Sequence, residues 1–400
     1  FENCYPNTLD TTVDYEVIDG KPDTFVITGD IDAMWLRDST CQVWPYMPLI
    51  AKDENLALMI QGLINRQAKC VRLDPYANAF YKDMTKESEW KSDRPSPQAG
   101  VHERKWEVDS LCYVVRLAHE YYRLTKDASP FDADWDQAMR RIVATFKTEQ
   151  RKDGTSPYRF SRTTSAMTDA PVFNGTGQPI RPVGMICSMF RPSDDATVLP
   201  FLVPSNMFAV QVLRQLADLY TSARNDAAFA RECRAMADEV QAAVMKWGTA
   251  EHLDYGRIYA YEADGFGNHL FIDDANVPSL IALSYLGIHK PTQALSPHAQ
   301  VPAQRRQPLV PPGQGRRRVR QPPHRQKQHL AYGDHPPRPD QRRRQGDRLL
   351  SEHAQDHARR DRVHARILQQ GQPGRFLPEV VRLGQHAFRR VDHRRPSEIP

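Results

Sequence analysis

Two adjacent carboxylates, Asp194 and Asp195, stand in the proline-bounded segment Phe190-Arg191-Pro192-Ser193-Asp194-Asp195-Ala196, shortly before the apolar run from Val203 to Phe208. A loop at the mouth of a helix is where a scaffold displays chemistry, so this spacing predicts an acid that is presented rather than buried. An anion beside a carboxyl raises its pKa, which helps that carboxyl hold a proton near neutrality for general-acid work. The same pair also suits a plain helix start that complements the macrodipole. A second constellation lies in Thr28-Gly29-Asp30-Ile31-Asp32-Ala33-Met34-Trp35-Leu36-Arg37-Asp38-Ser39. Trp35, Arg37 and Asp38 offer an aromatic face, a guanidinium and a carboxylate, a set that suits a polyhydroxylated ring with one CH face. An Arg–Asp ion pair beside a core tryptophan is the alternative.

The elements that must position these groups are helices. Leu56, Met59, Ile60, Leu63 and Ile64 repeat at helical spacing behind Asp53, an N-cap candidate. The pattern recurs at Leu111, Val114, Val115 and Ala118; at Trp135, Met139, Ile142, Val143 and Phe146; at Val212, Leu213, Leu216 and Tyr220; at Met236, Val240, Val244 and Trp247; and from Val277 to Leu286. No stretch alternates for long with period two, which argues against an extensive parallel sheet. No fixed-period repeat is visible. Periodicity alone allows a bundle or a repeat array.

The runs FVITGDIDAMWLRDS, RLDPYANAF, ERKWEVDSLCY, FRPSDDA, VPSNMFAV and DGFGNHLFIDDANVPSL resemble glycoside hydrolase family 125, the metal-independent exo-acting α-1,6-mannosidases. The matches run in order from Phe1 to about Gly287. The resemblance implies an all-α fold, an (α/α)6 toroid, that removes a terminal α-1,6-linked mannose with inversion. It implies Asp194 as the general acid, with Asp195 as the alternative. Its substrate-binding positions fall on Trp35, Arg37, Asp38, Asn78, Arg104, Arg191, Asp195, Asp273, Asp274 and Asn276. An inverting glycosidase needs a second carboxylate about 6.5–9.5 Å away to activate water. The links Asp74 to Phe80, Ser156 to Arg162 and Tyr261 to Asn276 are expected to form the rim of the active-site end. The expected partner is a mannose-containing oligosaccharide or glycan bound by a monomer. No metal and no other cofactor is implied.

Composition divides the chain. Residues 301–400 hold 22 Arg and one Lys against nine acidic residues, a net charge of +14, which leaves −9 for residues 1–300. They also hold 13 Pro and 13 Gln but no Trp, Cys, Met, Asn or Thr, too little apolar surface for a comparable core. The expected organisation is therefore a truncated hydrolase domain over 1–290 and a non-native or disordered tail over 291–400. A basic arm for nucleic acid would be one reading, but the tail lacks a stacking pattern, and neither a nucleic-acid nor a membrane partner is expected. A disordered linker is another.

A shifted reading frame accounts for more. Written with permitted codons as CAT CGG CAA AAA CAA CAT CTG GCC TAT, His324 to Tyr332 read one base later give IGKNNIWPM. Ala365 to Pro373, treated the same way, give HESFNKDNP. Both strings are like the family, need the same shift and stand in the expected order. The family's general base is the Glu of the second string, and its codon is split mainly into Arg366. An arginine cannot deprotonate water, so the 400-residue product is expected to be inactive. We expect the nucleotides between the codons for Leu286 and Arg305 to carry a missing or extra base or a misplaced splice junction. Sequencing checks this, and stops throughout the downstream alternative frame would contradict it.

Other signals are sparse. His102-Glu103 and His289 lack a second ligand at useful spacing, and Gly265-Phe266-Gly267 is too short to cradle a phosphate. The six cysteines, Cys4, Cys41, Cys70, Cys112, Cys187 and Cys233, show no close pair and leave buried thiols or a disulfide open. Asn174-Gly175-Thr176 is a glycosylation sequon. The chain begins at Phe1, so any signal peptide would already be missing, and no apolar run has membrane-spanning length. Localisation stays open, the secretory pathway being favoured. Three further readings stay alongside: a toroid glycosidase for another α-linked hexose, a non-catalytic glycan binder and a pseudogene product.

Overall fold

The computed structural model describes residues 4–288 apart from 30, 155 and 254. α1 (Asn7–Thr11) leads into a hairpin of β1 (Val13–Ile18) and β2 (Lys21–Val26), and β3 (Met34–Trp35) runs directly into α2 (Leu36–Val43). Then come α3 (Glu54–Leu73), β4 (Ala79–Phe80), β5 (Val101–Glu103), α4 (Val108–Thr125) and α5 (Ala133–Glu149). The helical turn α6 (Val172–Gly175), β6 (Phe201–Leu202), α7 (Val203–Ser222) and α8 (Ala227–Trp247) follow. Four short strands complete the series: β7 (Thr249–His252), β8 (Gly256–Tyr259), β9 (Glu262–Ala263) and β10 (His269–Leu270).

The helices fall into two layers. Of the 20 residues of α7, 14 are buried, and of the 18 of α4, 12; only eight of the 21 in α8 and eight of the 17 in α5 are. A helix buried around most of its girth lies inside, whereas one apolar stripe marks an outer helix. α2, α4 and α7 pack side by side as the inner row, with α8 against α7 and α5 against α3 outside. Aromatic rings tie the layers: Trp135 of α5 stacks on Tyr220 of α7 at 5.7 Å, and Tyr220 meets Phe229 of α8 edge-on at 4.5 Å.

Local chemistry explains the boundaries. Asp53, Asp132 and Asp226 cap α3, α5 and α8, each accepting two backbone N–H bonds from the first turn. Between β1 and β2, Asp19 and Gly20 take φ of 50° and 78°, the left-handed pair that a tight hairpin requires. That hairpin packs on α3. There Gly62 is obligatory, because a Cβ would come within 2.3 Å of Thr24 Oγ1, and Arg66 donates to Asp23 Oδ1 at 2.7 Å.

The all-α expectation therefore needs correction: the described residues include ten short strands in four sheets of two or three. They arise where connecting segments satisfy their backbone groups across the helix ends. The helix expected from Val277 to Leu286 is also absent. The segment forms successive turns whose Leu280, Ala282, Leu283 and Leu286 are buried, so the apolar period is real but the backbone bonds mix three-, four- and five-residue spacings instead of forming a helical ladder. The 291–400 tail, His289 and Arg366 lie outside the described residues.

Candidate active site

The inner helices begin at one end of the layer. Val108 N at the start of α4 donates to Ser188 Oγ at 3.1 Å, and Ser188 N donates to Pro200 O, three residues before α7, at 2.8 Å. Arg37, the second residue of α2, donates from Nη1 to Glu107 Oε2 at 2.7 Å and to Asp109 Oδ2 at 3.0 Å, across the start of α4. Its Nε lies 3.6 Å from Asp38 Oδ2. Asp38 and Asp109 both stand in first turns, where the helix dipole favours a negative charge.

Asp194 completes the group. Its φ of 65° is left-handed, its N–H donates to Arg191 O at 2.9 Å, and Arg191 N donates to Asp195 O at 2.8 Å, so the turn closes on itself. Burial leads in raising the Asp194 pKa, with Arg37 and Lys105 opposing and Glu103 and Asp38 adding. This corrects the sequence expectation twice. Asp194 is partly enclosed, with Oδ1 inaccessible, and burial rather than the adjacent Asp195 is the leading cause. Burial likewise raises Glu107 well above the ordinary range, helped by Asp109 and Asp194 and opposed by Arg37; Asp109 is raised too, again by burial first. Arg37 stays charged despite burial because Glu107, Asp109, Asp38 and Asp194 surround it.

Four carboxylates thus share one guanidinium, and Asp38 Oδ2, Glu107 Oε1, Asp109 Oδ1 and Asp194 Oδ1 are buried without accepting a hydrogen bond. Buried polar atoms are ordinarily satisfied, so four unpaired carboxyl oxygens in one cluster set this centre apart from the rest of the interior.

The remaining predicted residues fall around this centre or apart from it. Trp35 is 8% exposed and meets His102 edge-on at 5.0 Å. Asn78 is fully buried; Nδ2 donates to Glu103 Oε2 at 3.1 Å and Oδ1 accepts from Lys105 N at 3.1 Å, so both ends of its amide are engaged within the protein. Arg104 donates to Asp74 Oδ2 at 2.6 Å, with its guanidinium 5.3 Å from the ring centres of both Tyr76 and Tyr158. The expected rim segments beginning at Asp74 and Ser156 meet there. Arg191 donates to Glu262 Oε1 at 2.6 Å. Asp195 Oδ2 lies 3.5 Å from Ser193 Oγ. Asp273 accepts from Leu280 N and Ile281 N, while Asp274 accepts from Asn276 through N–H and Nδ2. Those three residues brace their own loop.

The sequence alone does not single out Glu107, Asp109 or Lys105, and it weighs Glu103 only beside His102 as a metal ligand, although all four stand in the run ERKWEVDSLCY. The Glu-Val-Asp step at a helix start was the available signal. All six cysteines are free thiols, which closes the disulfide alternative. Among the described residues there is no cluster of three or more metal-ligating side chains, and no helix is long and apolar enough to cross a membrane. An open cleft of about 380 Å³ borders Asp32, Tyr81, Lys86, Glu89 and His102 but none of the Arg37-centred carboxylates. Its Lys86 is already engaged by Asp32 and Tyr81.

Replacing Glu107 with Gln tests the electrostatics. A carboxyl whose folded pKa is raised stabilises the fold below its unfolded pKa, about 4.3 for Glu, and that stability is lost as pH rises towards the folded value. Glu107→Gln is therefore expected to gain stability relative to the parent from pH 5 to pH 8, measured as the difference in melting temperature. A difference that is flat in pH would contradict this.

The inner helices thus bring Arg37 and the clustered carboxyls together at their starts. The model of the glycoside hydrolase family 125, metal-independent alpha-mannosidases, matches residues 1–299, and the chain belongs to that family. It is 40% identical over 306 residues to the meiotically up-regulated gene 157 protein of Schizosaccharomyces pombe, spanning 72% of this chain and 60% of that protein. A solved Streptococcus pneumoniae structure, from a family of metal-independent alpha mannosidases and in a non-productive complex with alpha-1,6-mannobiose, matches with a TM-score of 0.68. The identity is 40%, over 72% of this chain and 67% of that one.

Proposed function

We propose that the scaffold hydrolyses terminal α-1,6-linked mannose with inversion, acting on mannose-containing glycans as a monomer within a closed (α/α)6 toroid. The observation that carries it is the cluster of four carboxyl groups about Arg37, Asp194 among them, at the starts of the inner helices. The alpha-1,6-mannobiose complex of the bacterial relative and the two-layer helix arrangement support the reading.

Asp194, held protonated by its enclosure, donates to the leaving oxygen; Arg37 and Lys105 face the carboxylate that forms. Arg37 and Asp38 hold hydroxyls of the terminal sugar, Glu107 and Asp109 fix Arg37 from the buried side, and Trp35 packs against the sugar's CH face. Water activation falls to the Glu encoded in the shifted frame, whose place Arg366 takes. The 400-residue chain accordingly binds mannose without turning it over. Its boundary near residue 290 and its secretory localisation belong to the same proposal.

A frame-restored protein tests the linkage. Mannose is expected from α-1,6-mannobiose and not from the α-1,2- or α-1,3-linked isomers, read by chromatography of the products. Equal release from all three would favour a toroid glycosidase of broader α-hexoside specificity.

A further inference from the structure

We propose that Lys105 is a positioning residue for the Asp194 acid: its ammonium fixes the main chain of the acid's turn and supplies positive charge against which the carboxyl gives up its proton. The proposal rests on Asp194 being the general acid.

Lys105 is only 4% exposed, an unusual place for an ammonium, and its Nζ donates to Asp194 O at 3.1 Å. The residue it holds is the one with left-handed φ in that turn, a conformation a non-glycine side chain keeps only when its surroundings impose it. Lys105 is held in turn. Its N–H donates to Asn78 Oδ1 at 3.1 Å, its Nζ lies 3.6 Å from Glu103 Oε1, and its ammonium sits 5.2 Å from the centre of the Phe190 ring.

Glu103 keeps its charge against burial through Lys105 and Arg162 together. It accepts from Asn78 Nδ2 and lies 2.9 Å from Arg162 Nη2; Arg162 also grips Asp93 with two bonds at 2.9 and 2.7 Å and lies 3.8 Å over Trp90. Lys105, Arg162, Glu103 and Asp93 form a neutral, braced set with one ammonium turned to the acid. That division of labour gives Asn78, both of whose amide ends are engaged in this bracing, a place in the site without contact with sugar.

Charge movement explains the use. In the cleavage step the O–H bond of Asp194 breaks, its proton bonds to the leaving oxygen, and the glycosidic electron pair goes with that oxygen. A carboxylate is left behind. The groups facing it are Arg37 and Asp38 from α2, Glu103 and Lys105 from β5 and the segment after it, Glu107 from the start of α4, and Arg191 and Asp195 in its own turn. Arg37 is the stronger of the two cations acting on Asp194 but is shared among four carboxyl groups, whereas Lys105 is shared with Glu103 and bonded to the acid's own turn.

The test is the titration midpoint of the Asp194 carboxyl carbon, followed by carbon-13 NMR in the full 400-residue chain and assigned by its absence from Asp194→Asn. Lys105→Met is expected to raise the midpoint by about one unit or more. Lys105→Gln, which can still donate to a carbonyl but carries no charge, is expected to raise it similarly and serves if the Met variant does not fold. The direction discriminates. A merely structural role would loosen the turn and hydrate the carboxyl, moving the midpoint down towards the ordinary carboxylate range. A midpoint unchanged or lowered in the folded variants overturns the proposal. If Asp194 is not the acid, the upward shift persists while Asp194→Asn fails to show dependence on the leaving group, so the two failures are distinguishable.

Discussion

Asp194→Asn in a frame-restored protein is expected to slow cleavage of α-1,6-mannobiose by about 100- to 10,000-fold, the usual contribution of a positioned general acid. The sugar alcohol that leaves is strongly basic and needs the proton as its bond breaks. An aryl mannoside with an acidic phenol as leaving group needs none, so its rate should fall far less. Kinetics on the two substrates check this. Asp195 shares the turn, lying 3.5 Å from Ser193 Oγ and outside the carboxylates that surround Arg37, so Asp195→Asn should affect both substrates evenly. Selective loss with Asp195→Asn and even loss with Asp194→Asn would transfer the acid role to Asp195.

Arg37→Met is expected to be the most destabilising single change in the site, by about 3–5 kcal/mol at neutral pH, the range for breaking a buried ion pair by removing one partner. Its partners Glu107 and Asp109 have wholly buried side chains, and their charge has no comparable compensation once the guanidinium is gone. The sign of the pH dependence follows. Without Arg37 these carboxyls hold protons to still higher pH, so the deficit should shrink on acidification from pH 7.5 to pH 5, as they take up protons. Urea unfolding at the two values measures it. A loss under about 1 kcal/mol, constant with pH, would mean that the cluster is solvated like a surface pair.

Five of the six predicted helices were legible because each shows one apolar face, and Asp53 was legible as a cap because its position relative to that face is unambiguous. The β1–β2 hairpin is signalled by Asp19-Gly20 and by Val13, Tyr15 and Val17 alternating with Asp14 and Glu16, but the stripe is only five residues long and β2 does not continue it. The stretch from Val277 to Leu286 shows the opposite error, since an apolar period records which residues are buried and not which carbonyls their N–H groups meet.

In the site, Arg37, Asp38 and Asp194 were legible as residue types. Glu107, Asp109 and Lys105 were not, because their part depends on the starts of α2 and α4 meeting across 70 residues of sequence, between Arg37 and Glu107. The same limit applies to pKa. Asp195 beside Asp194 is visible in a string of letters, whereas the enclosure that leads in raising Asp194 exists only after folding.

The most direct measurement of the central claim is proton NMR of the first sugar released from α-1,6-mannobiose by a frame-restored protein, recorded before mutarotation. Inversion at an α linkage by an acid at Asp194 and a separate base predicts β-mannose as the initial anomer. Initial α-mannose would mean retention through a covalent intermediate, and with it a different role for the carboxylates around Arg37.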